Sequence, residues 1–252
     1  MRIHREQSIS YTYWVLGFCA VVLLCFLFVG ARYVLHLAQT RIFDGEHAFT
    51  VAVPTSGDAG HYLILDPQAD VVRDISVKQN TYPILSDLTL THAIDINTPI
   101  DAWQLASSLK EASNGKLNML DEWYLMSFFR QAPQVQKASV DDTSTVTVHQ
   151  SPFLDATFIS ENQSIQIMNA SNVQGAGNRL AQLLTVMGAN VVAVQTAVQT
   201  VPNTRISTSE NTSYTVRKMS RLLGVPVQVS QTNAIADIVI TLGLDWGGGG
   251  TQ

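Results

Sequence analysis

Asp66, Asp70 and Asp74 stand four residues apart, a spacing at which three carboxylates would line one face of a helix and could share a hard divalent cation. The chain around them argues for a different geometry. Tyr62-Leu63-Ile64-Leu65 and Asp70-Val71-Val72-Arg73-Asp74-Ile75-Ser76-Val77 have strand character, and the turn pair Asp66-Pro67 lies between them. On an extended chain the three acids read as a solvated edge. His47, His61, His92 and His149 each lack a second His or Cys at ligand spacing, so a zinc site has no support. Ser56-Gly57 and Ser151-Pro152 sit outside any nucleophile-elbow pattern. Residue types and spacing alone assemble no enzymatic constellation.

Gly175-Ala176-Gly177 follows an apolar strand and precedes a helix, the place where backbone amides bind phosphate. The dinucleotide pattern fails because Leu180 stands where the third glycine belongs. No acid follows about twenty positions on to hold a ribose. These glycines therefore read as tight helix packing.

The elements that must position such residues can be read from periodicity. Ser164-Ile165-Gln166-Ile167-Met168 alternates as a strand, and Val173 to Met187 carries Leu180, Leu183, Leu184 and Met187 at helical spacing before Gly188. Val191 to Val194 is a second strand, so the span forms one strand-helix-strand unit that implies parallel pairing. Thr204 to Ser207, Ser213 to Leu223 and Val227 to Val229 repeat the pattern, and Asp237 to Leu242 adds a last apolar strand. Upstream, Phe49 to Val53, Tyr62 to Leu65 and Asp70 to Val77 read as strands, Ala102 to Ala112 and Leu117 to Arg130 as helices, the second capped by Asn118 or Asp121. Val135 to Val148 closes the segment, ending in the alternating strand Thr143 to Val148.

No charged residue occurs from Tyr11 to Gly30, and Val15 to Val29 is unbroken apolar sequence. About twenty such residues match the ~30 Å hydrocarbon core of a bilayer. Arg2, His4 and Arg5 precede the span, with Tyr11, Tyr13 and Trp14 in the place of an aromatic belt and Arg32 and Tyr33 after it. A retained anchor with the N-terminus in the cytoplasm is the expectation, and a signal peptide cleaved near Val29-Gly30-Ala31 is the alternative. Both cysteines, Cys19 and Cys25, lie inside the span, which leaves the rest of the chain without disulfide or thiol chemistry. From Leu37 onward 12 Lys plus Arg face 19 Asp plus Glu, a formal charge of −7. That balance argues against nucleic acid as a partner. Arg217, Lys218 and Arg221 make the one dense cationic patch. It reads as a solvated helix face, with contact to an anionic polymer as the sharper alternative.

Asn169-Ala170-Ser171-Asn172-Val173-Gln174-Gly175-Ala176-Gly177, Thr200 to Ile206 and Ala236 to Asp245 together resemble the LytR C-terminal domain, a small module of bacterial cell-envelope proteins. The resemblance implies an accessory domain and no catalysis. A ligand, if the module holds one, is expected at the turn Asn169, Ser171, Asn172 and Gly175 with Arg205 nearby, although Asn169 and Ser171 read first as structural caps. The middle segment is similar to a shortened catalytic domain of the LytR-CpsA-Psr family, whose members transfer lipid-linked glycopolymers to the wall. That similarity rests on Leu65-Asp66-Pro67, on Ile75-Ser76-Val77-Lys78-Gln79-Asn80-Thr81 at the place of the family's Ser-Ile-Pro-Arg-Asp-Thr, and on Asn97-Thr98-Pro99-Ile100-Asp101. Where the family has an arginine and an aspartate for a pyrophosphate and its metal, this chain has Gln79 and Asn80. Gln offers no cationic fork and Asn is a weaker Mg²⁺ ligand than a carboxylate.

The expected organisation is thus a cytoplasmic tail (1–10), a transmembrane anchor (11–36), a degenerate α/β domain (43–150), a linker (151–163), a LytR C-terminal-like domain (164–245) and a flexible Gly-rich tail (246–252). The fold class is α/β, or α+β, with a transmembrane helix before two small extracytoplasmic domains with mixed sheets. The functional expectation is a non-catalytic binding or scaffold protein of the bacterial envelope, without cofactor, held in the cytoplasmic membrane by a single pass and partnered by cell-wall polymer or envelope proteins. The alternative is a divergent phosphotransferase attaching lipid-linked glycopolymers to peptidoglycan, which would need Mg²⁺ and an apolar groove in which Trp103, Trp123, Phe128 and Phe129 could take part.

Overall fold

A computed structural model describes residues 4–55, 59–79, 84–94, 101–142, 151–209, 213–230 and 235–247. The chain begins with a long helix, α1 (His4–Thr40), and from Tyr13 to Thr40 it is apolar and long enough to cross a membrane. Its side chains there are exposed apart from the half-buried Val22 and Leu37, as a span facing lipid requires.

The first sheet contains β1 (Phe49–Val53), β2 (Gly60–Asp66), β3 (Val71–Gln79), β4 (Leu88–Thr89) and β5 (Gln134–Asp142), in the order β4-β1-β2-β3-β5. The pairs β1·β2 and β2·β3 are antiparallel, and β4 and β5 add in parallel at the two edges. Its helices are α2 (Ala102–Ala112) and α3 (Met119–Arg130). Asn118 caps α3 by accepting from the amides of Leu120 and Asp121, while Asp121 accepts from the Asn118 amide in return. This reciprocal box satisfies amides that a helix start leaves orphaned. The strand expected over 143–148 lies outside the described residues.

The second sheet contains β6 (Ser164–Asn169), β7 (Asn190–Thr196), β8 (Arg205–Thr208), β9 (Val227–Val229) and β10 (Ile238–Leu242), in the order β7-β6-β10-β8-β9. Helix α5 (Ala176–Val186) joins β6 to β7 and α6 (Tyr214–Leu223) joins β8 to β9, and both strand pairs are parallel. The two expected strand-helix-strand units are therefore present, and the fold is α/β with two mixed sheets. Gly177 allows the close seat of α5, since a Cβ there would lie 3.0 Å from Val194 Cγ1.

The stretch expected as a linker, 151–163, carries a short helix, α4 (Ala156–Glu161), capped by Asp155. Phe153 and Phe158 are buried in it. Phe158 belongs to the core of the second sheet, whereas Phe153 joins Tyr62, Ile64, Ile75 and Val77 of the first sheet together with Leu183 and Val186 of α5. The result is a stack of four layers. Helices α2 and α3 cover one face of the first sheet, its other face meets α5, and the second sheet lies beyond α5 and α6. Burial on both faces explains why Tyr62, Leu63, Ile64 and Leu65 of β2 are apolar in succession rather than alternating.

Candidate functional site

The turn after β6 closes on itself. The Asn169 side chain donates to the Val173 carbonyl at 3.0 Å and accepts from the Ser171 amide and hydroxyl at 3.2 and 2.7 Å, and the Ser171 hydroxyl accepts from the Val173 amide at 3.2 Å. Asn169 and Ser171 thus satisfy local backbone, as capping residues do. Asn172 is exposed at the tip, and Gly175 stands at the start of α5 with φ +77°.

Arg205 opens β8, which runs antiparallel to β10 while β6 runs parallel to it. Arg205 pairs with Thr241, and the next residue of β10, Leu242, pairs with Asn169. The turn and Arg205 therefore occupy the same end of the sheet, with β10 between them. This is the carboxyl end of the parallel strands β6 and β10, the customary ligand side of open α/β sheets. Arg205 also lines an open cleft of about 470 Å³ with Asn203, Thr204, Pro226, Gln228 and Asp245. Asp245 is engaged within that cleft. Its carboxylate accepts from the Thr204 amide at 2.8 and 2.9 Å and from the Thr204 hydroxyl at 2.6 Å. Burial pushes its carboxyl up, but these bonds outweigh that and hold it below the usual carboxylate range.

Strand pairing assigns the outer face of the same sheet. One row across it is Ala193, Gln166, Val239, Ser207 and Gln228, and the next is Gln195, Met168, Thr241 and Arg205. The inward set, Ile165, Ile167, Ile206, Ile238, Ile240 and Leu242, makes the core with α5 and α6. Gln166 and Thr241 are buried at the centre of the outer face, whereas Gln195, Arg205 and Gln228 are exposed at its margins. Gln166 Nε2 donates to Gln195 Oε1 at 3.2 Å. Amides, hydroxyls, three apolar side chains and one guanidinium make a surface that can hydrogen-bond a polar ligand and stack against its apolar faces.

Gln79 ends β3 opposite Asp142 of β5, and its side chain together with Asn80 lies outside the described residues. Among the described residues, no group of three or more His, Cys, Asp and Glu side chains gathers to hold a metal. The three acids spaced by four are also separately engaged. Asp66 pairs with Arg73 at 2.9 Å and Asp74 with His61, while Asp70 turns the chain at φ +53°. The donors described do not fit a Mg²⁺ site.

The expected cationic face is corrected by the structure. Lys218 is 1% exposed, and its ammonium lies 2.9 Å from Asp87 Oδ2 and 3.3 Å from Asp155 Oδ2 and donates to the Ala48 carbonyl at 2.5 Å. Arg221 donates to the Ile42 carbonyl at 2.8 Å and places Nε 3.2 Å from Asp87 Oδ1. That second contact is electrostatic, because its angles are not those of a hydrogen bond. The Tyr214 hydroxyl donates to Asp155 at 2.6 Å. Burial, then the Asp155 charge, push its phenol far above the usual tyrosine range, so it stays a donor. Two buried acids thus face two cations across the junction of the sheets, and the desolvation of each is offset by the others. One signal was present in the sequence: Tyr214, Lys218 and Arg221 form a stripe at i, i+4 and i+7, beside the apolar stripe Val216, Met219 and Leu223. A helix with two inward faces buries both.

Residues 162–246 match the family model described as LytR cell envelope-related transcriptional attenuator, the LytR C-terminal domain. The match covers β6 through β10 and all but the last residue of the closing 3-10 turn (Leu244–Gly247), and so includes the turn, the cleft and the outer sheet face. Neither the curated proteins nor the solved structures contain a match to the chain.

Proposed function

We propose that this chain, which carries a LytR C-terminal domain over residues 162–246, is a membrane-anchored binding or scaffold protein of the bacterial cell envelope. In this reading α1 is a single-pass anchor with the N-terminus in the cytoplasm, and both sheets lie outside. The ligand is wall glycopolymer or peptidoglycan, taken up without turnover. The observation that carries the reading is the outer face of the second sheet, where Gln166, Gln195, Gln228, Ser207, Thr241 and Arg205 offer paired donors and acceptors beside Met168 and Val239. Sugar hydroxyls and peptide amides are recognised by such groups, and a lone guanidinium suits a carboxylate or phosphate. The turn Asn169, Ser171, Asn172 and Gly175 borders the same end of the sheet.

The test is co-sedimentation of the full chain, in detergent, with purified peptidoglycan with and without attached anionic glycopolymer. The paired substitution Arg205→Ala and Gln228→Ala is expected to weaken binding about tenfold, the loss of one charge-assisted bond. Unchanged binding would remove the outer face from the reading.

The divergent phosphotransferase remains as a second reading because of one groove. Val72, Ala102, Leu105, Phe129, Ala132, Pro133 and Val135 line a cleft of about 200 Å³ on the first sheet's helical side, a place for a hydrocarbon chain. Phe128 is core, and Trp103 and Trp123 are exposed. Mg²⁺-dependent loss of a lipid pyrophosphate in the presence of the unaltered protein would establish this second reading in place of the first.

A further inference from the structure

We infer that the first sheet's helical layer rests on the bilayer surface through Met119 and Trp123 of α3. The inference depends on reading α1 as a membrane span, and it adds that no free linker separates that span from the folded part. Asn118 Nδ2 donates to the Leu37 carbonyl in the last turn of α1 at 3.0 Å. The Asp121 carboxylate takes the amides of Ile42 and Phe43 at 2.7 and 2.8 Å. The Arg41 guanidinium lies 5.4 Å from the centre of the Tyr124 ring. The start of α3 is therefore fixed to the end of α1 by contacts on consecutive turns.

Depth follows from helix geometry. The apolar helix Tyr13–Thr40 has 28 residues, about 42 Å and so the thickness of a bilayer with its headgroup layers, and Leu37 lies within one turn of its end, about 5 Å along the axis. The headgroup layer on each side of a bilayer is of the same depth, roughly half the difference between ~40–45 Å and ~30 Å. Side chains beside Leu37 therefore stand at headgroup level. Met119 and Trp123 are one turn apart on one face of α3, and they are 61% and 55% exposed. The Trp123 ring meets Tyr124 edge-on at 5.1 Å, which holds it in place. An indole suits this layer because its ring is apolar while its N–H can reach headgroup or water. Lipid is the occupant because the chain's own span holds this face against the membrane, and any protein partner would first have to displace lipid from it.

The test uses the full chain in vesicles containing lipids brominated close to the headgroup, with Trp103→Phe as the reference protein. The emission lost on adding Trp123→Phe to that reference belongs to Trp123, and the emission lost on adding Trp14→Phe belongs to the span. Trp123 is exposed and phenylalanine keeps the ring contact with Tyr124, so both proteins fold. The expected result is quenching of Trp123 of the same order as that of Trp14. Quenching of Trp14 without quenching of Trp123 overturns the inference and leaves the anchor intact. Quenching of neither removes the anchor, and the inference with it.

Discussion

The ammonium of Lys218, on the second sheet's helix α6, lies 2.9 Å from the carboxylate of Asp87, which leads into β4 of the first sheet, and both side chains are removed from water. Asp87 also accepts from the Thr50 amide at 2.9 Å, so the lysine reaches an acid already tied to β1. Removing one member of a buried ion group leaves an uncompensated charge and costs about 3–5 kcal/mol, whereas removing both partners costs much less. Lys218→Met should therefore lower the denaturant midpoint sharply, and adding Asp87→Asn should recover part of the loss. A Lys218→Met protein as stable as the parent would show that this pair does not hold the two sheets together.

Gly243 follows β10 with its backbone against that of Asn203. A Cβ there would lie 2.4 Å from the Asn203 carbonyl carbon and 2.7 Å from the Thr204 amide nitrogen. Backbone cannot swing aside as a flexible side chain can, so Gly243→Ala should force the closing turn away from Thr204. It should also break the bond from the Gly243 amide to the Thr204 hydroxyl, 3.0 Å long. A cost of about 1–3 kcal/mol is expected. Gly115 has φ +77° and open space around its Cβ position, so alanine there should cost only the backbone strain, about 1–2 kcal/mol. Thermal unfolding of the two variants measures each cost, and a Gly243→Ala protein as stable as the parent would mean that the close approach at Gly243 relaxes without penalty.

The elements that periodicity determines were legible in the chain, and the junction was not. Helix α2 runs from Ala102 to Ala112 as its apolar spacing predicts, and β1 from Phe49 to Val53. The α3 cap at Asn118 was equally visible, because capping is local chemistry. The two-residue strand β4 and the six-residue α4 are too short for any period to show, and both are set by partners distant in sequence. Lys218 and Arg221 looked like a solvated face because their acids, Asp87 and Asp155, belong to other segments. At the candidate site, the capping roles of Asn169 and Ser171 could be read from the turn, whereas the outer-face rows through Gln166 and Arg205 depend on strand order and register. Neither can be read from a single strand.

Asp121 is an acceptor three times over. Oδ1 takes the amides of Ile42 and Phe43, and Oδ2 takes the amide of Asn118 at 2.7 Å. Asparagine keeps the shape, yet its amide nitrogen would confront the Asn118 N–H, donor against donor. Asp121→Asn should cost about 1–3 kcal/mol, the penalty of one buried unsatisfied donor. Its effect should concentrate where α1 meets α3. Hydrogen exchange at Asn118, Ile42 and Phe43, whose amides donate to this carboxylate, is the direct check, and unchanged protection at all three would contradict this role.

Glu161 links α4 to α6 by accepting from the Tyr214 and Thr215 amides at 2.9 and 2.8 Å. Burial pushes its carboxyl up, but the bonds from Thr215 and Tyr214 outweigh that and hold it below its ordinary value of 4.5. Asp237 behaves alike, held below 3.8 by the Ser164 hydroxyl and amide. A carboxylate with a depressed folded pKa binds fewer protons folded than unfolded. Its contribution is then complete above the unfolded value and disappears as pH falls through the folded one. Asp121 has the opposite sign, because burial outweighs its hydrogen bonds and raises its carboxyl above 3.8, so its ionisation lowers stability as pH rises through that raised value. The second sheet should therefore lose stability below about pH 4.5, and Glu161→Gln should flatten that acid limb while leaving the neutral plateau lower. Asp237 is exposed and Glu161 only half-buried, so the change is small and is best read as a difference between the two pH profiles of unfolding. An acid limb of unchanged slope in Glu161→Gln would mean that the α4 to α6 link does not depend on the charge of this carboxylate.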